Sequence, residues 1–294
     1  MNPDSELAPA TTIAVIGAGR LGGVLTRALR AAGFSVLGPL RREQPMPAAD
    51  IAILAVPDAA ISAVAFVARP HVRRVAHLSG ATGLDAVDFS IHPLQTFTGG
   101  ETPDVFHGIG AAIDGRTAED KSLARDLARA LGMTPFTVTD RAAYHAAASF
   151  ASNFVLTVLD AAEQLAIAAG VEDPREVLAP LVRQSVDNWQ HQGAADALTG
   201  PIVRGDEATV ATQRAATGAH RDLFDALTTA TRRIADSRTP ETNPHTPEPV
   251  SHTSEADPRT PETNPHTPEP DSHAPEPDPR TPEAAPHTPE KDRA

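Results

Sequence analysis

The chain has 294 residues, a net charge of −13 and no cysteine. That length accommodates two ordinary domains, the missing thiols exclude disulfides, thiolate catalysis and cysteine-based zinc sites, and no clustered positive charge marks a nucleic-acid footprint. No apolar run follows a basic start and no stretch approaches 18 uninterrupted apolar residues, so the sequence reads as a soluble, cytoplasmic protein with no membrane engagement.

The first part, residues 11–139, alternates short apolar runs with helical patterns. Ile13–Ile16 predicts a strand and Leu21–Ala32 a helix. Ser35–Leu37 is a short second strand, and Ile51–Val56, opened by Asp50 and closed by Pro57, is a third. Val72–Leu78 and Ser90–His92 are further strands, and Gly110–Ile113 and Phe136–Val138 flank a helix around Ala118–Leu131. This alternation predicts an α/β Rossmann domain with a doubly wound, mostly parallel sheet.

Between the first strand and first helix stands Gly17-Ala18-Gly19-Arg20-Leu21-Gly22, the G-x-G-x-x-G spacing. A lone match says little, but here it follows a β-type run and opens a helix, as its mechanism requires. Gly17 allows the tight turn, Gly19 lets a pyrophosphate approach the backbone, and Gly22 lets helix and strand pack closely. The phosphates then meet free N–H groups at a helix N-terminus. Val56, at the end of the third strand, joins this candidate dinucleotide site. NAD-binding versions carry an acid about 20 residues on. Here the first side chains past the second strand are Arg41 and Arg42. Two guanidiniums suit a 2′-phosphate by charge and fork geometry, and Arg20 adds to them, so NADP is favoured with NAD as the alternative.

From Asp140 to Ile234 strand signals largely disappear. Ala142–Ala169 has no internal Gly or Pro and stops at Gly170. Being apolar nearly all round, it predicts a buried central helix. Pro174–Gln190 and Glu207–Ile234 predict further helices, making residues 140–235 an all-α domain. Within the central helix His145, Ser149 and Asn153 are spaced four apart and share nearly one face. Polar groups on such a helix need partners, which a cleft would supply. Residues 236–294 hold 15 of the 28 prolines, 13 acids against 5 bases and one large apolar residue, Val250, in a repeat of period 21. The prediction is a disordered, polyproline-like tail. It carries recurring histidines and Thr-Pro steps, and its partner, if any, is not identifiable from sequence. The remaining histidines show no metal-ligand spacing.

The segments GAGRLGGVLTRAL, HLSGATGLDA (from His77), IHPLQTF (from Ile91), YHAAASFASNF (from Tyr144) and ALTGPIVRGD (from Ala197) together resemble the 6-phosphogluconate-dehydrogenase-like superfamily. More closely they resemble a bacterial family described as Rossmann-like with a C-terminal domain of unknown function. The superfamily includes ketopantoate reductases, hydroxyisobutyrate dehydrogenases and pyrroline-5-carboxylate reductases. The resemblance implies a nicotinamide-dependent oxidoreductase acting on a small molecule, and a homodimer built through the helical domain. It also implies that Ser79 and Gly80 line the nicotinamide or substrate cleft. Ketopantoate reductases and hydroxyacid dehydrogenases carry a lysine on the long helix and an asparagine one turn later. Asn153 matches that asparagine, but Ser149 stands in the lysine's place, and the chain has only Lys121 and Lys291. A proton donor must then come from His145 first, from His92 just past a strand second, or from water or Tyr144. Thr199, Arg204 and Asp206 lie in a loop marked by Gly200-Pro201, where Arg204 suits a substrate carboxylate or an internal pair with Asp206. The expected activity is reduction of a small carbonyl, led by a 2-oxo acid of the ketopantoate type. Imine reduction of the pyrroline-carboxylate type and a non-catalytic dinucleotide sensor are the alternatives.

Overall fold

The computed structural model describes Leu7 and residues 11–237. The repeat tail, with its expected disorder and its histidines, lies outside the described residues. Seven strands, β1 (Thr12–Ile16), β2 (Ser35–Leu40), β3 (Ala49–Leu54), β4 (Val72–His77), β5 (Phe89–Pro93), β6 (Gly110–Gly115) and β7 (Thr134–Phe136), form one sheet in the order β2-β1-β3-β4-β5-β6-β7. Every pairing is parallel except β5 with β6. From β1 the chain goes through α1 (Arg20–Ala31) to β2 on one side, then crosses to β3 on the other. Connections that leave in opposite directions open a crevice at the C-terminal strand ends, and here it lies beyond Ile16. The sheet is the doubly wound, mostly parallel one that the sequence predicts.

Its interior follows from strand periodicity, since successive side chains point to opposite faces. Ile13, Val15, Ile51 and Ile53 pack with Val24, Leu25, Ala28 and Leu29 of α1 and Leu123 and Leu127 of α3 (Ala118–Ala130). Ile16, Ala52, Leu54 and Val75 pack on the other face with Ile61 and Ala65 of α2 (Ile61–Ala68). With both faces covered, the central strands read as continuous apolar runs instead of alternating ones. Periodicity places no helix at α2, whose nearly all-apolar composition, with Ser62 its one polar side chain, carries little amphipathic signal. It also ends β2 at Leu37. Gly38-Pro39 continues the strand because β2 is an edge, where a residue without an N–H leaves no ladder bond unmade.

The C-terminal part is helical throughout: α4 (Arg141–Ser149), a π-helical turn at Phe150–Phe154, α5 (Val155–Ala168), α6 (Pro174–Ala197), α7 (Glu207–Ala216) and α8 (Arg221–Asp236). Asp140 caps α4 by accepting from Ala143 N (3.0 Å) and Asp206 caps α7 by accepting from Thr209 N (3.0 Å). The helix predicted at Glu207–Ile234 is two helices, broken over Thr217–His220 at Gly218, whose φ is +54°. The expectation of a buried central helix is corrected. Along α4 and α5 only Ala161 is buried, while Phe150, Phe154 and Leu156 are 68, 49 and 63% exposed. An all-round apolar pattern says that every face is to be covered, not that the same chain covers them. By length and composition Arg141–Ala168 is apolar enough to cross a membrane.

Candidate functional site

Two clusters of sequence-predicted residues meet the crevice side of the sheet. The first is the glycine loop. Gly17 has φ +111°, and a Cβ there would lie 2.1 Å from the carbonyl oxygen of Ala55; a Cβ on Gly22 would lie 1.9 Å from the carbonyl oxygen of Gly17. Both positions therefore admit glycine alone. At Gly19 a Cβ would meet nothing within 4 Å, so this glycine leaves open space on the solvent side at the head of α1, where the helix's free N–H groups lie. That is the cradle a pyrophosphate would fill. Ala18 and Arg20 are exposed on the loop, Leu21 packs against the core, and Val56 borders Gly17. Arg41 and Arg42 follow β2 at once. Both are exposed, and neither guanidinium has an ion-pair partner among the described residues. Because β2 runs parallel to β1, they stand at the same end of the sheet as the loop. The residues present fit a nicotinamide dinucleotide.

The second cluster is a cleft of about 520 Å³ lined by His92, Leu94, Gln95, Thr96, His145, Ala148, Ser149, Ala151, Ser152, Asn153, Val155 and Leu156. His92, His145, Ser149 and Asn153 are thus brought together. One step of four residues overshoots a full α-helical turn by about 40°. The wider π turn from Phe150 to Phe154 undoes that drift and keeps Asn153 in line with His145. Ser149 donates its hydroxyl to the carbonyl of His145 (3.1 Å), whereas the Asn153 amide has no side-chain partner among the described residues.

α4 is held to the sheet by Arg141, whose Nη2 donates to Ser90 Oγ (2.6 Å) and reaches Asp114 Oδ2 (3.4 Å). One turn on, the Tyr144 hydroxyl lies 2.7 Å from His92 Nδ1. The rings of His92 and His145 have centroids 6.2 Å apart. Gly80 makes that approach possible, since a Cβ there would lie 2.9 Å from His92 Cε1 and 3.0 Å from His145 Nδ1. Burial, helped by the charges of His145 and Arg141, pushes the His92 imidazole down to about 4. Burial likewise raises the Tyr144 phenol. At neutral pH both groups are uncharged.

Other predicted residues sit elsewhere. Ser79 belongs to the turn after β4, its hydroxyl 2.9 Å from Asp58 Oδ2 and accepting from Thr82 N (2.9 Å). Its neighbour Gly80 packs against the His92 and His145 rings, and neither Ser79 nor Gly80 is among the lining residues. Thr199 and Arg204 lie in the loop between α6 and α7 and are not among the lining residues. Gln95, Thr96 and Ser152 line the cleft without being singled out by the sequence; their one signal is position, two of them directly after the IHP strand end. His77, fully buried, accepts from Ser79 N at Nδ1 and meets the carbonyl of Gly83 at Nε2 (3.0 Å), a satisfied core histidine.

Residues 109–231, from β6 into α8, match the family described as Domain of unknown function (DUF2520). The match begins just before β6 and takes in the helical part as far as α8. No curated protein matches the sequence. Solved structures with the same fold include a Bacteroides fragilis protein provisionally named an NADP oxidoreductase (22% identity, TM-score 0.66, covering 76% of this chain and 99% of that one). A Thermotoga maritima protein, TM1727, is 20% identical with TM-score 0.66 over 76 and 100% of the two chains. A 1-pyrroline-5-carboxylate reductase from Streptococcus pyogenes is 15% identical with TM-score 0.52 over 77 and 100%.

Two measurements test this geometry. Gly19→Val should leave the folded state intact, because no protein atom is near, while abolishing NADPH binding in a fluorescence titration; retained binding would remove the phosphates from this loop. As pH falls, an unfolded chain protonates His92 near 6.5 while the folded chain resists until about 4. The stability from this group is therefore complete above 6.5 and is lost between 6.5 and 4. An NMR titration of the His92 ring should show the low value, and His92→Asn should flatten the stability slope across that window. An ordinary imidazole titration would contradict the burial argument.

Proposed function

We propose that the protein is a soluble, cytoplasmic NADP-dependent reductase of a small carbonyl or imine substrate. The carrying observation is the convergence of His92, His145, Ser149 and Asn153 on one cleft at the C-terminal strand ends, the end that also bears the glycine loop. The dinucleotide, when bound, supplies the hydride. The protein's share is to hold the substrate's carbonyl or imine group and to manage the proton. With the Tyr144 hydroxyl donating to His92 Nδ1, the imidazole keeps its own proton on Nε2. A neutral imidazole held in this way stabilises a developing negative oxygen by hydrogen bonding without becoming charged. His145, on the next residue of α4, gives the proton. The Asn153 amide orients the substrate, and Ser149, its hydroxyl proton turned to the helix, accepts a hydrogen bond from it. A carboxylate on the substrate requires a cation, and none lines the cleft among the described residues. Arg204, exposed on the loop before α7, is the residue assigned to that task if the substrate is a 2-oxo acid of the ketopantoate type. A cyclic imine of the pyrroline-carboxylate type is the second choice.

The test is NADPH consumption with a panel of small 2-oxo acids and cyclic imines. One member should be reduced, with His145→Ala lowering kcat by about 10²-fold or more and leaving NADPH affinity unchanged. Replacing Arg41 and Arg42 by alanine should weaken NADPH, and not NADH, by about tenfold or more, the worth of one lost charge-assisted hydrogen bond. NADPH binding without turnover of any member would replace the reductase by a dinucleotide sensor.

We also propose that a second copy of this chain covers the exposed apolar side chains of the helical part, among them Phe150, Leu156, Leu181 and Trp189, each at least 60% exposed. An apolar surface of that kind is unusual on a monomer. Light scattering should give twice the 30.8 kDa chain mass, and Leu181→Asp should shift it towards one chain. A wild-type monomer would reject the dimer.

A further inference from the structure

The segment between β5 and the short helical turn at Pro103–Phe106 touches both halves of the site. Its first part, Leu94, Gln95 and Thr96, lines the substrate cleft. The Gln95 side-chain oxygen accepts from Thr96 N (2.9 Å), which leaves the amide nitrogen of Gln95 to a ligand. In the middle, Phe97 stacks on Phe106 with ring centroids 5.3 Å apart and packs on the core. Its last part crosses the first turn of α1. Gly99, at φ +103°, lies so close that a Cβ on it would be 3.5 Å from Arg20 Cα. Arg20 opens the helix end where the dinucleotide phosphates are placed.

Two side chains hold this crossing. Arg27 sits seven residues after Arg20, two turns along the same face of α1. Its Nη2 donates to the backbone carbonyls of Gly99 (3.2 Å) and Glu101 (2.8 Å). The Glu101 carboxylate accepts from Thr98 Oγ1 (2.6 Å) and Gly99 N (2.8 Å), and also from Thr98 N. Those bonds hold its carboxyl down at about 2, so it remains an acceptor over the whole working pH range. The segment is therefore fastened at its α1 end and in its middle, while its cleft end is held by backbone bonds from Leu94 N to Gly110 O (2.8 Å) and from Gln95 N to Pro93 O (2.9 Å).

We propose that Arg27 and Glu101 are positioning residues that tie the substrate-facing stretch Leu94–Thr96 to the helix end where the dinucleotide phosphates bind. This rests on the dinucleotide reading of the glycine loop. Neither residue touches the substrate cleft; each acts through the backbone it holds. A dinucleotide settling on the first turn of α1 meets a segment already braced against that turn, and the brace carries the restriction on to Gln95 and Thr96. The cofactor then shapes the cleft before the substrate enters, and substrate affinity depends on cofactor occupancy.

The test is hydrogen–deuterium exchange on the full chain with and without NADPH, binding being followed separately by NADPH fluorescence. In the wild type, NADPH should slow exchange several-fold both in the glycine-loop peptide and in the peptide covering residues 94–102. In Arg27→Ala and in Glu101→Ala, the glycine-loop protection and NADPH affinity should persist while protection at 94–97 is lost. Arg27→Lys should restore part of it, which a general loosening of the fold would not allow. Should either alanine variant fail to fold, Glu101→Gln, which keeps one acceptor oxygen, should show a partial loss. Protection at 94–97 that survives these changes, or none in the wild type despite NADPH binding, would overturn the brace. Failure of both NADPH and NADH to bind would instead overturn the dinucleotide reading, and the brace with it.

Discussion

Two histidines from different parts of the chain can face one cleft only if the helix that carries one is fixed against the strand that carries the other. Arg141 does this. Its largely buried guanidinium reaches Ser90 on β5 and Asp114 on β6 from the first turn of α4. Hydrogen bonds to charged groups are among the stronger ones, and breaking one leaves a buried group without its partner. From that anchor the helix geometry places Tyr144 over His92 within the next turn, His145 beside it, then Ser149 and Asn153 along one face. The polar stripe has its place because its helix has an anchored start.

The same end of the sheet depends on side chains that are missing. Gly17 and Gly22 let the loop, β3 and α1 approach to distances that a Cβ would forbid, and Gly80 lets two imidazoles approach each other. The glycine loop makes room for an anion at a helix end. Gly80 makes room for a pair of rings, one of them partly stripped of water and thereby kept neutral. In both places backbone takes up little space so that functional groups converge, a use of glycine distinct from ending a helix.

The part of the molecule legible in the sequence is the part that local periodicity carries. The glycine spacing after an apolar run identifies the crevice strand, and four-residue spacing puts His145, Ser149 and Asn153 on one face before any coordinates. Contacts that join distant segments are not legible. Nothing local to Tyr144 announces His92, 52 residues earlier, and nothing in IHPLQTF announces that Gln95 and Thr96 face α4. Ser79 looks like a cleft residue by position, but its hydroxyl is occupied by a turn with Thr82 and Asp58, a competition that short polar side chains often win against a ligand role. The apolar central helix shows a different limit. Composition records that a surface is to be covered and is silent on which molecule covers it, so a helix predicted as interior lies exposed on a single chain.

The shortage of lysine gives the site its chemical character on the proposed reading. Lys121 belongs to α3, Lys291 lies outside the described residues, and no lysine lines the cleft among the described residues. The groups that do face the substrate space are imidazole and, one bond behind, phenol. An imidazole pushed down to about 4 cannot act as a cationic acid near neutrality, which separates the two histidines by role. In the proposed mechanism His92 is a fixed, uncharged hydrogen-bond donor, and His145, exposed and lining the same cleft, is the other imidazole at hand. A pair of titratable groups whose surroundings differ in this way is how one site divides electrostatic stabilisation from proton transfer. On the same reading, Ser149 standing where the resembled reductases carry lysine is compatible with reduction. The proposed proton source then stands one helical turn N-terminal to Ser149, at His145, the residue that Gly80 leaves room for.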